Sequence, residues 1–298
     1  MRGTKLSGMF VPHITPFSHD GELDEAALRT CVQFWMESEL SGLIPCASNG
    51  EAPKLSREER AKVIGTVIDE VNGKAQVIAG TGSISTKETI LLTRDAKDLG
   101  VDAALVVTPF YYKVSNRELY GHYKALSEAV DLPIILYSAP KFTGYSLEPS
   151  AISRLVSEDQ NIVGVKDSGG NLGNIVEIAR LVGDKISVLA GTADVTLPTL
   201  MLGGHGAVIA VANVVPKMCS DLYEAFKRGD YEKARIQQRH ISYLNDILVR
   251  AHNQLSAIKE ALSLLGLPSG NPRRPTLRLK DTEKEEIRKV LETVSRSK

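Results

Sequence analysis

Eight short apolar runs, each bounded by Gly or Pro, punctuate the chain: GMFVPHITPF, GLIPC, AQVIAGTG, AALVVTP, PIILYSAP, NIVGVKDSG, ISVLAGTAD and GAVIAVANV. Their apolar positions are continuous, not alternating, which is the pattern of strands covered on both faces. Between the runs the period changes. SREERAKVIGTVIDEV (56–71), STKETILLTRDAKDLG (85–100) and SNRELYGHYKALSEAV (115–130) carry apolar residues every three or four positions. Each opens on serine, a preferred helix N-cap. Eight strand–helix units in so regular an order predict a (β/α)8 TIM barrel in preference to a doubly wound open sheet. After the eighth run the pattern is helical only, over 217–265 and 281–296, joined by GLPSGNPRRPTL. We read 1–228 as the barrel and 229–298 as a C-terminal helical extension of the same domain.

Composition narrows the ligand. The chain has 298 residues, 43% of them hydrophobic, and its 36 Lys plus Arg equal its 36 Asp plus Glu. No charge excess draws it to nucleic acid or an anionic membrane, so a small-molecule substrate is expected. No run of 18 apolar residues is present, and MRGTKLSGMF lacks an apolar leader core, so a cytoplasmic location is expected. Cys31, Cys46 and Cys219 are odd in number and form no CxxC pair, which predicts core thiols. The six histidines form no HxH or HxxxH pair, so no metal is expected. At His205, in GGHGA, a ligand role stands against a packed turn histidine.

In such a barrel, chemistry gathers where strands end at their C-terminal side. There the sequence places Thr15, CASNGE (46–51), TPFYYK (108–113), YSAP (137–140), KDSGG (166–170) and GTAD (191–194). In NIVGVKDSG, period two puts Ile162, Gly164 and Lys166 on one face and Val163, Val165 and Asp167 on the other. An inward Lys166, with room above Gly164 for its stem, loses hydration of its charged form. Its pKa falls, and the neutral amine attacks ketones. The alternative is a strand-end lysine whose amine reaches solvent. The same count puts Ile135, Tyr137 and Ala139 together, so Tyr137 either carries protons beside Lys166 or is a core phenol bonded to a carbonyl.

VPHITPF, SNGE, VVTPFYY, YSAPKFTG, GVKDSGG, LAGTAD and GGHGAVIAVANV occur in this order, each at a strand. With them the chain resembles the dihydrodipicolinate synthase / N-acetylneuraminate lyase family of class I aldolases along nearly its whole length. The resemblance implies a homotetramer that binds pyruvate or a longer 2-oxo acid as a lysine imine, with no other cofactor, and works on an aldehyde. It assigns the imine to Lys166 and proton transfer to Tyr137, with Tyr137 or Ser48 taking the 4-hydroxyl proton in cleavage. Ser48 and Asn49, helped by backbone N–H groups of the turn, would bind the substrate carboxylate, and Gly50 would let the backbone approach. Tyr111 matches a tyrosine donated across a subunit interface. Gly191 and Val208 match positions whose backbone faces the 2-oxo acid.

The departures point within the family. Synthases typically carry two threonines where Ser48 and Asn49 stand, and an arginine for the second substrate's carboxylate where Phe142 stands. SNGE, YSAPKFTG and KDSGG are closer to members that cleave 4-hydroxy-2-oxoglutarate to pyruvate and glyoxylate. Aldol cleavage is therefore the first expectation, and condensation of pyruvate with aspartate semialdehyde, the 4-hydroxy-tetrahydrodipicolinate synthase reaction, the alternative. A non-catalytic 2-oxo-acid-binding relative would be expected to lose Lys166 or Tyr137. A barrel for phosphorylated sugars would use glycine-rich turns after strands seven and eight, for which AGTAD and GGHGA are the candidates.

Overall fold

The computed structural model describes residues 6–295. Eight parallel strands form a closed barrel: β1 (Gly8–Val11), β2 (Gly42–Leu43), β3 (Gln76–Gly80), β4 (Ala103–Val107), β5 (Ile134–Ser138), β6 (Ile162–Asp167), β7 (Ser187–Ala190) and β8 (Gly206–Val208). Each predicted run holds one strand shorter than itself. Phe10, Ile44, Ile78, Leu105, Ile135, Leu189 and Val208 pack inside the barrel. Val11, Leu43, Val77, Val106, Leu136 and Val188 pack outward against helices. Both faces are dry, which is why the runs show no alternation.

Local signals start the helices. Ser56, Ser85 and Ser115 cap Arg57–Val71, Thr86–Leu99 and Asn116–Ala129, each side chain accepting from a backbone N–H three residues on. Glu59 and Glu118 complete capping boxes at the first and third. The C-terminal part holds helices Pro216–Lys227, Tyr231–Asn245, Gln254–Leu264 and Asp281–Ser295, with a π-helical turn, Asp246–Ala251, before the third.

Strict alternation fails at the start of β6. Ile134 pairs with Ile162, but Ile135 pairs with Gly164, so Val163 is an extra residue in a bulge. Val163 therefore packs inside the barrel and Ile162 outside, the reverse of the expected faces. From Gly164 onward the expected alternation holds. Gly164 is not needed for space, however: an added Cβ would meet Ser187 O at 3.4 Å, an ordinary contact.

GGHGA (203–207) leads into β8 and so lies at the N-terminal end of the barrel, away from the rim expected to carry chemistry. Gly206 there lies so close to β1 that a Cβ would stand 2.0 Å from Gly8 O. His205 Nδ1 accepts from Val188 N at 3.2 Å, which fits the turn-histidine expectation. The three cysteines are buried and free. Among the described residues no group of three or more His, Cys, Asp or Glu converges as a metal site, and no helix is long and apolar enough to cross a membrane.

Candidate active site

Register brings the central pair together. Tyr137 on β5 is the direct partner of Lys166 on β6. Both point into the barrel, and Lys166 Nζ lies 4.1 Å from the centroid of the Tyr137 ring. Lys166 is 2% exposed and Tyr137 5%. Burial holds the Lys166 ammonium below its ordinary pKa, opposed only by Tyr137, its sole electrostatic partner among the described residues. Burial alone would push the Tyr137 phenol up, but the Lys166 charge and hydrogen bonds from Ser48, Ser168 and Lys166 reverse this and leave it below its ordinary value. Either amine with phenol or ammonium with phenolate leaves the buried pair uncharged overall, so a single proton can pass between them. A neutral amine beside a proton donor is what carbinolamine formation and dehydration require.

The loop after β2 forms the second wall. Its ends, Cys46 and Glu51, both adopt φ of 56°, and between them Ser48 lines the cavity beside Tyr137. Asn49 is 1% exposed, and its side chain is already engaged: Nδ2 donates to Pro12 O at 2.9 Å and Oδ1 accepts from Gln254. It pins the loop to the segment after β1 and to the C-terminal helices. The backbone N–H groups of Ser48, Asn49 and Gly50 donate to no protein acceptor among the described residues, an arrangement suited to a carboxylate. Gly50 does not line the cavity. Its close approach is to the start of its own loop and the segment after β1, where a Cβ would meet Cys46 N and His13 O at 3.2 Å. Thr15 is likewise turned to the loop, donating to Gly50 O at 2.8 Å.

Lys166, Tyr137, Ser48, Asn49, Gly191 and Val208 surround one cavity of about 200 Å³. Gly191 admits the Ser168 hydroxyl, which donates to Gly191 O at 3.1 Å; a Cβ would stand 2.1 Å from Ser168 Oγ. A neighbouring apolar cavity of about 320 Å³ shares Ser48, Tyr137 and Phe142. Tyr111 lines neither. Its ring is 84% exposed and packs edge-on to Tyr112, with φ at 79°.

Several residues of this site escaped sequence reasoning. Ser168 follows Lys166 at period two, a usable signal. Asn245, Val249, Arg250 and Gln254 reach the cavity from the C-terminal helices and carry no local mark. A second buried lysine, Lys259, also lacked one. Its Nζ donates to Glu51 Oε1 at 2.8 Å, while Lys54 Nζ and Arg273 N donate to Glu51 Oε2 at 2.9 and 3.0 Å. Burial pushes Lys259 down to about 8 against the pull of Glu51. Lys259 therefore has a carboxylate partner and braces the loop, whereas Lys166 has none.

Known proteins resemble this chain along most of its length. The model of the dihydrodipicolinate synthetase family matches residues 5–294. The 4-hydroxy-tetrahydrodipicolinate synthase of Syntrophus aciditrophicus is 40% identical over 287 residues, 96% of this chain and 98% of the relative. That of Citrifermentans bemidjiense is 42% identical over 270 residues, 91% of this chain and 92% of the relative. The chloride-inhibited dihydrodipicolinate synthase of Acinetobacter baumannii, solved with pyruvate, superposes with a TM-score of 0.94 at 35% identity, covering 97% of this chain and 99% of the other.

Proposed function

The chain belongs to the dihydrodipicolinate synthetase family, and on that premise we propose that Lys166 forms an imine with C2 of pyruvate, which then joins an aldehyde. The neutral amine adds to the ketone, Tyr137 supplies the proton with which the carbinolamine oxygen leaves as water, and loss of a C3 proton turns the imine into an enamine. The enamine carbon adds to the aldehyde, and hydrolysis frees Lys166 when the product does not displace it internally. The free N–H groups of Ser48 and Asn49 would hold the pyruvate carboxylate. The observation that carries this reading is the buried Lys166 beside Tyr137 with no carboxylate partner. Incubation with pyruvate and borohydride should leave one reduced adduct per chain, on Lys166. An adduct on Lys259, or none, would refute it.

The relatives' names favour aspartate semialdehyde as the aldehyde, reversing the order in which the motifs placed the two reactions. One observation favours the other reaction, cleavage of 4-hydroxy-2-oxoglutarate: Phe142, 51% exposed on the cavity wall, offers no donor where synthases typically carry arginine. We expect kcat/KM for aspartate semialdehyde with pyruvate to exceed that for the cleavage. The opposite order would establish the aldolase.

Tyr111 supports a multi-subunit enzyme. A bulky residue at positive φ carries strain of about 1–3 kcal/mol, and its ring makes little use of its own chain. A second copy's Tyr111 would find Ser48 and Tyr137 at the apolar cavity. The homotetramer expected from the family resemblance remains part of this proposal.

A further inference from the structure

We infer that Lys141 and Arg250 form a binding site for a carboxylate on the aldehyde partner, a deepening that rests on the imine reading of Lys166. Both side chains line the Lys166 cavity. Lys141 Nζ donates to Val249 O at 3.0 Å and to Gln254 Oε1 at 3.3 Å, so it sits against the residue preceding Arg250, and both residues border the same cavity. The π-helical turn Asp246–Ala251 creates this contact: its final carbonyls lack helical partners, and the Lys141 ammonium satisfies that of Val249. Both acceptors are neutral. Lys141 thus has no carboxylate partner among the described residues, and one of its three N–H bonds is unspent.

Arg250 is held from behind. Its Nη2 donates to Asp194 Oδ2 at 2.6 Å, and the same oxygen accepts from Asn245 Nδ2 at 2.9 Å. Asp246 lies 4.0 Å from Nη1. One corner of the guanidinium is thereby fixed, and further donors remain for a ligand. The residues lining the cavity include three cations, Lys141, Lys166 and Arg250, and no carboxylate. Pyruvate's own carboxylate and the imine account for the Lys166 end. Of the two remaining cations, Lys141 places its Nζ 5.8 Å from the centroid of the Phe142 ring, which cannot neutralise a second anion, and Arg250 borders the same cavity. An acidic aldehyde is the chemistry that uses them, through one ammonium and one planar guanidinium donor.

The test uses the full chain with pyruvate and three probe aldehydes: aspartate semialdehyde, glyoxylate and the neutral propanal. Arg250→Gln and Lys141→Met should each lower the ratio of acidic to neutral kcat/KM by about 10-fold or more, the scale of a charge-assisted hydrogen bond. The double variant should lower it further, and Arg250→Lys should retain part of it. Both side chains are exposed, so the variants are expected to fold. A ratio that stays constant, or equal losses for acidic and neutral aldehydes, overturns the site. Borohydride trapping of pyruvate distinguishes the two levels: an adduct on Lys166 with an unchanged ratio refutes the cation pair alone, and no adduct on the native chain removes the imine reading and the pair with it.

Discussion

Replacing Lys166 by alanine is expected to leave a folded chain that no longer turns over pyruvate, with kcat lower by roughly 10⁴–10⁶, the scale of removing a covalent nucleophile. The amine sits at the barrel rim with Tyr137 as its only electrostatic partner among the described residues and no carboxylate there to strand. Breaking a buried ion pair costs about 3–5 kcal/mol because the surviving charge is uncompensated. Here nothing charged survives, and the space vacated joins an existing cavity. Thermal melting should therefore place Lys166→Ala within a few degrees of the native chain. Lys166→Arg separates two roles of the residue: it keeps the cation and loses the nucleophile, and should be equally inactive. Appreciable turnover by the arginine variant would mean that Lys166 acts by charge and forms no imine.

Tyr137→Phe should lower kcat by roughly 10²–10⁴, the range for loss of a positioned acid–base group. Borohydride should still trap pyruvate on Lys166, more slowly, because the nucleophile survives while its proton donor is gone. The pH profile gives an independent check. Burial depresses the Lys166 pKa, and Tyr137 opposes that by raising it. Without the phenol the amine pKa falls further, so neutral amine persists to lower pH. The acidic limb of kcat/KM should shift to lower pH. A shift to higher pH, or a change in KM alone with kcat intact, would show that Tyr137 is a packing residue.

The inward placement of Lys166 and Tyr137 was legible because alternation along a strand is a local property, and both residues follow the point at which it could fail. Val163 lies at that point, and the bulge against Ile134 and Ile135 reversed its face. Asn49 shows a different limit. Its type and place in SNGE suggest a ligand-binding amide, yet its side chain is spent on Pro12 and Gln254. Only its backbone N–H remains for a substrate. Gly50 likewise reads as a turn glycine in either role, and the atoms it abuts, Cys46 N and His13 O, show it packing its own loop against the segment after β1.

Strand number and order, the serine-capped helices and the Lys166–Tyr137 pair follow from patterns spanning a few residues: hydrophobic runs, caps and period-two faces. These signals act within one element and so survive in a one-dimensional reading. Lys259 on Glu51 joins residues 208 apart, Lys141 on Val249 residues 108 apart, and Arg250 on Asp194 residues 56 apart. Nothing near Lys259 in SAIKEALSL separates a buried ion pair from a solvated helix face, and nothing in ILVRAH announces a rim cation. Barrel closure brings such groups within 3 Å of each other, and a charge is stabilised by whatever then faces it, however distant in the chain. The lysine that reacts and the lysine that braces are therefore told apart only by their neighbours: one meets a phenol, the other a carboxylate.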